Sequence, residues 1–262
     1  MQKIDISIFM AACRPQWWMR MYDSLKGNKC NWEIVACGQN PPKFRLPKNF
    51  KYIYSPFKPC QAYQTAALQC SGEFIGWGTD DSSFNSDSLD KICDAIDVSK
   101  KIIYAQQSIE DGKDTRNDHF FFWGCPDTPR MAPLAFLKKE WFFSLGAYDR
   151  NFICGQSEND VVLRALQDGG EVRLISESKV YIHHKQVHRF IWNYPFRSGY
   201  NTDRRYLEEC WVKEGFGTYD EKTLKHGTVS LVRLLAHHPF NYDNILNVPQ
   251  GNQGRWSKYA KT

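Results

Sequence analysis

Short apolar runs and segments of helical spacing alternate through the first hundred residues of the chain. The run at residues 4–9 predicts a buried strand, which leads into a pair of small alanines. Pro15 stands where helices favour proline, in the first turn, and apolar side chains follow it at spacings of three, four and seven up to Gly27. This opening predicts a strand, a turn and an amphipathic helix.

The same alternation continues beyond the first helix. Residues 33–37 and 74–78 predict two further strands, and the alanine-rich residues 61–70 between them predict a helix. Apolar positions within residues 89–96 indicate another amphipathic helix. Strands and helices in this order predict an α/β fold, with a mostly parallel sheet and helices on both faces.

The pattern is weaker in the second half of the chain. Between residues 102 and 133 the periodicity fades among turn-forming dipeptides, and it resumes at residues 141–145. A helix is then predicted across residues 159–167, where Gly169 and Gly170 follow it. Two short strands, at 172–175 and 180–182, end at a pair of histidines.

Periodicity ends close to residue 185, and this sets the predicted domain organisation. We predict one α/β domain over residues 1–188 and a C-terminal extension over residues 189–262 that packs on its core. Within the extension, residues 190–206 interleave aromatic and basic side chains. Such a segment either closes over a ligand as a lid or only straps the domain.

Composition and charge restrict the class of protein. The chain has 262 residues, of which 42% are hydrophobic, enough for a proper core. No apolar run approaches the ~20 residues of a membrane-spanning helix, and the N-terminus lacks the charged lead of a signal peptide. A net charge of +5 suits contact with phosphates or with an anionic membrane face, but no basic run or reader motif predicts nucleic-acid binding.

Cysteine and aromatic usage add two further expectations. The nine cysteines form no CxxC pair and are odd in number, which favours reduced thiols in a cytoplasmic protein. Aromatic residues make up 15% of the chain. Sugar rings stack on such side chains, although most of these rings are expected in the core.

Asp80 and Asp81 are the first candidates for chemistry. They follow a predicted strand directly, and the carboxyl ends of strands in open α/β sheets are where ligands bind. Carboxylate oxygens are the ligands that Mg²⁺ prefers, and they also suit Mn²⁺. The alternative is a solvated turn before the next helix.

A second group of acids lies at the start of the helix predicted across residues 159–167. Ser157 and Asp160 have the spacing of a capping box, and Asp160 and Arg164 have the spacing of an ion pair on one helix face. Glu158 has no such partner. Acids at a helix start are also stabilised by the helix dipole whatever their function.

His183 and His184 end the last predicted strand. A strand-end imidazole can complete a divalent metal site whose other ligands are carboxylate and phosphate. Paired histidines beside Lys185 are also common as plain surface residues.

The order of these pieces along the chain resembles the family-2 glycosyltransferases of the GT-A fold. In that family a Gly-Glu-Tyr-Ile-like run leads into a metal-binding acid motif, and a Leu-Gly-Gly-Phe-Asp-like run precedes the acid-rich helix that carries the base. The resemblance covers residues 4–188. It is carried by Arg14-Pro15, by residues 71–75, 79–81, 145–149 and 158–164, and by Gly169 and His183.

The resemblance implies a set of roles for single residues. Asp80 would contact the ribose or phosphate side of the nucleotide, and Asp81 would bind Mn²⁺ or Mg²⁺. Glu158 falls on the position of the catalytic base, with Asp160 beside it. His183, or else His184, would make a late contact to the metal or a phosphate. The segment from Ala11 to Arg14 would lie under the nucleobase.

The implied activity is inverting transfer of a sugar from a nucleotide-diphosphate donor, with a UDP-sugar as the default, to an acceptor hydroxyl. The acceptor would be a glycan or a lipid-linked or protein-linked molecule. The chain departs from the family pattern where Ala12-Cys13 replaces a Tyr-Asn pair and where Cys37-Gly38-Gln39 lacks the acid that contacts the base. It also has Ser157-Glu158 where Glu-Asp is commoner, which implies a glutamate as the base.

Two rival functions remain open at this point. A sugar-phosphate nucleotidyltransferase would need a glycine-rich phosphate loop after the first strand, and residues 11–15 contain no glycine. A binding protein that kept the fold and lost catalysis would have no need of both the Asp80-Asp81 pair and Glu158.

Overall fold

The computed structural model describes residues 5–56, 59–114, 134–149, 151–184, 203 and 207. These residues form nine strands and five helices, in chain order β1 (Ile6–Ala11), α1 (Pro15–Leu25), β2 (Trp32–Gly38), β3 (Phe50–Tyr54), α2 (Pro59–Leu68), β4 (Phe74–Trp77), β5 (Ser82–Phe84), α3 (Ser88–Ala95), β6 (Ile102–Glu110), β7 (Lys113–Asp114), β8 (Ala135–Lys138), α4 (Lys139–Ser144), α5 (Ser157–Gln167) and β9 (Glu171–Ile182).

All nine strands belong to one sheet. Its order is β3-β2-β1-β4-β8-β6-β9-β5, and β7 pairs with β6. Strands β1 to β4 are parallel, β8 runs against both β4 and β6, and β9 is again parallel to β6. Six strands therefore run one way, which confirms the predicted α/β class with a mostly parallel sheet.

The strand order reverses between β1 and β4. The connection through α1 leads from β1 to its neighbour β2, whereas the connection through α2 leads from β3 back across the sheet to β4. Right-handed crossovers that run in opposite directions place their helices on opposite faces. Every residue of β1 and β2 is buried, as a sheet covered on both faces requires. Such a reversal leaves a crevice at the carboxyl ends of the two strands.

An aromatic cluster packs α2 and the segment after α4 against β1. The ring of Phe9 lies 6.2 Å from that of Tyr63, 5.8 Å from Phe142 and 5.9 Å from Tyr148, measured between centroids. Edge-on pairs of this kind add to the hydrophobic effect of burying the rings. The cluster holds the start of α2 near the carboxyl end of β1.

A buried carboxylate joins the three neighbouring strands β1, β2 and β3. Glu33 of β2 accepts a hydrogen bond from the hydroxyl of Ser7 in β1 at 2.7 Å, and its second oxygen lies 2.7 Å from the amine of Lys51 in β3. The backbone N–H of Ser71 also donates to it. These contacts outweigh the effect of burial and lower the pKa of Glu33 below its ordinary value.

Several predicted elements are confirmed with small changes of bounds. The first helix begins at Pro15 as predicted, and the strands predicted at 33–37 and 74–78 correspond to β2 and β4. The two short strands predicted at 172–175 and 180–182 are one strand, β9, whose pairing with β6 shifts register between Gln106 and Gln107.

Five strands escape the sequence pattern. The clearest is β6, a nine-residue strand inside the region of fading periodicity, because it carries Gln106, Gln107 and Ser108 as buried polar residues. The others are the half-exposed strand β3, the four-residue strand β8 and the short strands β5 and β7. No helix in the described part of the chain is long and apolar enough to cross a membrane. Residues 115–133 of the weakly periodic region lie outside the described residues, as does all of the predicted extension except Asp203 and Leu207, which are both buried.

Candidate active site

Asp80 joins the loops that follow β1 and β4. One carboxylate oxygen accepts hydrogen bonds from the backbone N–H groups of Cys13 and Arg14, both at 2.8 Å. The other oxygen accepts two from the guanidinium of Arg14, through Nε at 2.8 Å and through Nη2. Asp80 is buried, and both of its oxygens are engaged within the chain. It fixes the loop at residues 13–14, the segment expected to meet the nucleotide.

Asp81 is the carboxylate that faces the cleft. Its Oδ2 lies 3.3 Å from Nη1 of Arg14 and 3.4 Å from Nδ1 of His184, and the hydroxyl of Thr79 donates to Oδ1. Burial alone would raise the pKa of Asp81, but the hydrogen bond from His184 and the charge of Arg14 lower it below its ordinary value. Asp81 is therefore an anion at neutral pH.

The rings of the two histidines have different contacts. The backbone N–H of His183 donates to the carbonyl of Asp81 at 3.0 Å, while its ring lies 2.8 Å from both Ser83 Oγ and Arg20 Nη2. The ring of His184 lies against Asp81 and within 3.6 Å of Glu110. Of the two candidates, His184 has its imidazole beside the acid, whereas the ring of His183 does not contact it.

The ring environments also move the two pKa values apart. Hydrogen bonds to Asp81 and Glu110 raise the pKa of His184 to about 10. Burial and the nearby charge of Arg20 lower the pKa of His183 below its ordinary value. At neutral pH His184 is thus protonated, and it must lose that proton before it can bind a cation.

These residues fit a divalent cation only in part. No three histidine, cysteine or acidic side chains among the described residues are arranged to hold a metal by themselves. Asp81 could supply a carboxylate oxygen and His184 a nitrogen, and Mn²⁺ accepts both kinds of donor. Oxygens of a bound diphosphate would have to complete the coordination, as Mg²⁺ and Mn²⁺ sites in nucleotide enzymes require.

Glu158 lies in the first turn of α5. Its side chain is half-buried, and the Ser157 hydroxyl lies 3.4 Å from its Oε2. Burial raises the pKa of Glu158 above its ordinary value, and the negative charge of Asp203 raises it further. The hydrogen bond from Ser157 lowers the pKa but does not cancel this increase. A carboxylate with a raised pKa is a better proton acceptor.

Asp160 has a structural role instead. Its Oδ2 lies 3.0 Å from Nε and 2.8 Å from Nη2 of Arg164, and both side chains are buried. The same guanidinium donates to the carbonyls of Leu145 and Ala147. The predicted ion pair between Asp160 and Arg164 is confirmed, and it ties α5 to the turn after α4.

The predicted capping box at Ser157 is wrong. The helix already includes Ser157, and the residue before it, Gln156, occupies the cap position with a positive φ of 71°. The backbone N–H of Asp160 donates to the carbonyl of Gln156, and no side chain caps the helix. The hydroxyl of Ser157 instead lies near Cys60 and Glu158, since the strained residue sets the helix start one position earlier.

Tyr63 of α2 contacts the loop that carries the acid pair. Its hydroxyl donates to the carbonyl of Gly78 at 2.6 Å, just before the acid pair. Burial raises the pKa of Tyr63 strongly, and the negative charges of Glu158, Asp80 and Asp81 raise it further. Sequence reasoning missed Tyr63, Glu110 and Asp203. The only signal for Tyr63 is that it is the single aromatic residue of the helix predicted at 61–70.

The loops after β1 and β2 meet at the edge of the same cleft. Ala11 is buried as the last residue of β1, opposite Cys37 of β2. A Cβ atom on Gly38 would lie 1.9 Å from the carbonyl oxygen of Ala12, so that only glycine fits there. Asn40 donates through its side chain to the carbonyl of Cys13 at 2.7 Å. This region has the place that the resemblance gives to the nucleobase.

No protein-family model matches the sequence, and no curated protein matches it either. Solved structures do match. GalNAc-T7, crystallised with UDP, GalNAc and Mn²⁺, has a TM-score of 0.59 and 13% identity over 96% of this chain and 59% of its own. TarS 1-349 from S. aureus in complex with UDP has a TM-score of 0.55 and 12% identity, over 69% of this chain and 60% of its own.

TarS 1-349 in complex with UDP-GlcNAc has a TM-score of 0.60 and 13% identity, over 94% of this chain and 76% of its own. The present chain thus spans about 60% of the TarS–UDP and GalNAc-T7 structures. At these identities the likeness concerns the course of the chain and the strand order. The protein therefore has the GT-A fold of these glycosyltransferase structures.

Proposed function

We propose that this protein is a metal-dependent inverting glycosyltransferase that moves a sugar from a nucleotide-diphosphate donor to an acceptor hydroxyl. One observation carries the proposal: helix α2 contacts the surroundings of both groups of acids, since Tyr63 donates to the carbonyl of Gly78 just before the acid pair and the hydroxyl of Ser157, beside Glu158, lies 3.4 Å from the sulfur of Cys60. The cleft lies at the reversal of strand order, where α/β sheets bind nucleotides. The structural neighbours support a UDP-sugar as the donor.

The donor is held by the residues after β1 and β4. The segment from Ala11 to Arg14 lies beneath the nucleobase and ribose, and Asp80 holds that segment in place. Asp81 and a deprotonated His184 would hold the divalent cation, with Glu110 near the histidine. A cation bound there would act as a Lewis acid on the diphosphate leaving group. The Mn²⁺ in the GalNAc-T7 structure supports this part of the proposal.

Glu158 acts on the acceptor. Its carboxylate takes the proton from the acceptor hydroxyl as that oxygen attacks the anomeric carbon, and the bond from that carbon to the diphosphate oxygen breaks. A single displacement inverts the configuration of the sugar. General-base assistance of this kind contributes ~10²–10⁴-fold to the rate. The acceptor is a glycan or a lipid-linked or protein-linked molecule in the cytoplasm.

Binding and transfer test the proposal together. UDP-sugars with Mn²⁺ are screened by thermal shift, where a ligand at 100 times its Kd stabilises by about 2.7 kcal/mol. Donors that bind are then incubated with Mn²⁺, and the release of UDP is measured. Asp81→Ala should abolish both effects, while the matched variant of an exposed acid, Asp23→Ala, should change neither. Unchanged metal dependence in Asp81→Ala would contradict the proposal.

The same assay separates the two rival functions. A nucleotidyltransferase would form a nucleotide-sugar from a nucleoside triphosphate and a sugar phosphate, and a binding protein would be stabilised by the donor without releasing UDP. Either result would replace the proposed transfer.

A further inference from the structure

The loop before α5 is held by a carboxylate from far along the chain. Oδ2 of Asp203 accepts hydrogen bonds from three consecutive backbone N–H groups, those of Ile153 at 2.9 Å, Cys154 at 2.6 Å and Gly155 at 3.1 Å. Asp203 is fully buried. Successive N–H groups that converge on one point form an anion-binding concavity, and here the anion is part of the protein.

The carbonyl groups of this loop are held from its other side. The backbone N–H of Cys60, at the start of α2, donates to the carbonyl of Ile153 at 3.0 Å. The Cys60 thiol donates to the carbonyl of Gly155 at 3.8 Å, and the hydroxyl of Ser157 lies 3.4 Å from its sulfur. Asp203 and Cys60 thus fix opposite edges of residues 153–155.

The next residue shows what this fixation achieves. Gln156 has a left-handed conformation that non-glycine residues avoid, and such a residue persists only where its surroundings determine it. It turns the chain directly into α5, two residues before Glu158. The direction in which α5 starts, and so the position of Glu158, depends on the loop at 153–155.

We propose that Asp203 is a positioning residue for sugar transfer, which fixes the loop that places Glu158 at the acceptor. This inference rests on the proposed function, because it assumes that Glu158 is the base. Its geometric part, the anchoring of residues 153–155, stands on the hydrogen bonds alone.

Asp203 also acts on Glu158 through its charge. The titratable groups that face Glu158 among the described residues are Cys60 and Tyr63 of α2, Tyr148 after α4, and Asp203. Burial raises the pKa of Cys60, Tyr63 and Tyr148 well above their ordinary values, which leaves these three groups neutral. Among the described residues, the negative charge of Asp203 raises the pKa of Glu158 and so favours its protonated form.

The first experiment compares Asp203→Asn with Asp203→Glu in the full chain. Without the charge, Asp203→Asn should lower kcat by about tenfold or more, because small misplacements of a catalytic group are costly, and leave the donor KM within about twofold. Its acid limb in the pH profile of kcat should move to lower pH. Asp203→Glu, with the charge kept and the carboxylate displaced, should lower kcat but leave the acid limb in place. If Asp203→Asn fails to fold, Asp203→Glu alone tests the loss of kcat.

Leu207→Ala is the matched control for mere packing. Leu207 is the other described residue of this segment and is fully buried, and no hydrogen bond of its side chain reaches the loop. A cavity there should lower Tm and leave kcat and its pH profile unchanged. Equal losses of kcat in Leu207→Ala and Asp203→Asn at the same Tm, or an unmoved acid limb in Asp203→Asn, would overturn the positioning role.

Hydrogen exchange separates this inference from the proposed function. In Asp203→Asn the amides of residues 153–155 should exchange faster than in the wild type, while those of residues 103–105 in β6 should not change. Unchanged exchange at 153–155 would overturn the inference even if the protein transfers sugar. Absence of transfer in the wild type, with faster exchange in the variant, would overturn the proposed function and leave the anchor established.

Discussion

Two carboxylates at the start of α5 lie two residues apart in different electrostatic surroundings. Asp160 is paired with a buried guanidinium, and such a pairing favours the charged, weakly basic form. Glu158 has no cation among its described contacts, and burial raises its pKa. The choice of Glu158 as the base thus follows from its neighbours, although the two acids look equivalent in the sequence.

Glu158→Gln should keep the affinity for the donor and lower turnover by ~10²-fold or more, because the amide cannot accept the proton. Steady-state kinetics with a UDP-sugar checks this, with Glu140→Gln as the control at an exposed glutamate. Near-normal turnover in Glu158→Gln would exclude it as the base.

Asp160→Asn should act on stability. The change leaves the buried guanidinium of Arg164 without its counter-charge, which costs on the order of 3–5 kcal/mol of unfolding free energy. Denaturant unfolding measures this loss. A variant with wild-type stability and a large drop in kcat alone would give Asp160 the catalytic role instead.

The histidine pair gives a second prediction at this scale. His184→Ala should weaken Mn²⁺ binding in the presence of UDP by about tenfold or more, because it removes the imidazole beside Asp81. His183→Ala should leave that affinity closer to the wild type, since its ring contacts Ser83 and Arg20. Titration calorimetry with Mn²⁺ compares the two, and the opposite ranking would return the ligand role to His183.

At the scale of the elements, sequence periodicity predicted those helices and strands whose positions are determined by burial of apolar side chains. The helix after Pro15 and the strands β2 and β4 have apolar patterns strong enough to be recognised. The strand β6 was missed because its polar residues are satisfied by partners distant in sequence, as when Gln106 donates to Ser178. The start of α5 was misplaced because a left-handed Gln156 has no signature in residue type.

The Glu33 contacts join three strands and should make stability depend on pH. The pKa of Glu33 is lower in the folded protein than in the unfolded chain, where it is about 4.3. Its contribution is therefore fully present above that unfolded pKa and is lost as pH falls through the folded pKa. Glu33→Gln should cost about 1–3 kcal/mol at pH 7, because buried hydrogen bonds are broken.

Urea unfolding of the wild type and of Glu33→Gln at pH 7 and in steps below pH 4.3 checks this dependence. The difference between the two proteins should shrink as the pH falls. A constant difference across that range would mean that the charge of Glu33 contributes nothing and that only its shape matters.

At the scale of the whole molecule, the fold and the order of the site residues were predictable, whereas their contacts were not. Strand and helix alternation indicates the sheet, and the sheet places Asp80 and Asp81 at its ligand-binding edge. The contact of Cys60 with Ser157 and the anchoring of residues 153–155 by Asp203 depend on tertiary packing over long separations in sequence. No local pattern encodes such contacts.

Truncation after Lys185 should destabilise the protein as well as impair transfer, because it removes Asp203 and Leu207, which are both buried. A chain that ends after residue 212 keeps both and is the matched control. Tm and UDP release are measured for each. A chain truncated at 185 with wild-type Tm and full transfer would show that neither an anchor nor a lid is needed.

The buried thiol of Cys60 makes the opening of the loop at residues 153–155 measurable by chemical labelling. Burial raises the pKa of this thiol strongly, and its sulfur lies between Gly155 and Ser157, so alkylating reagents can reach it only when the loop moves away. Its labelling rate, read by mass spectrometry of the peptide that contains it, would then report how often the loop opens. A bound donor and acceptor that hold the loop closed should slow that labelling, and the half-buried Cys30 gives a reference rate within the same molecule.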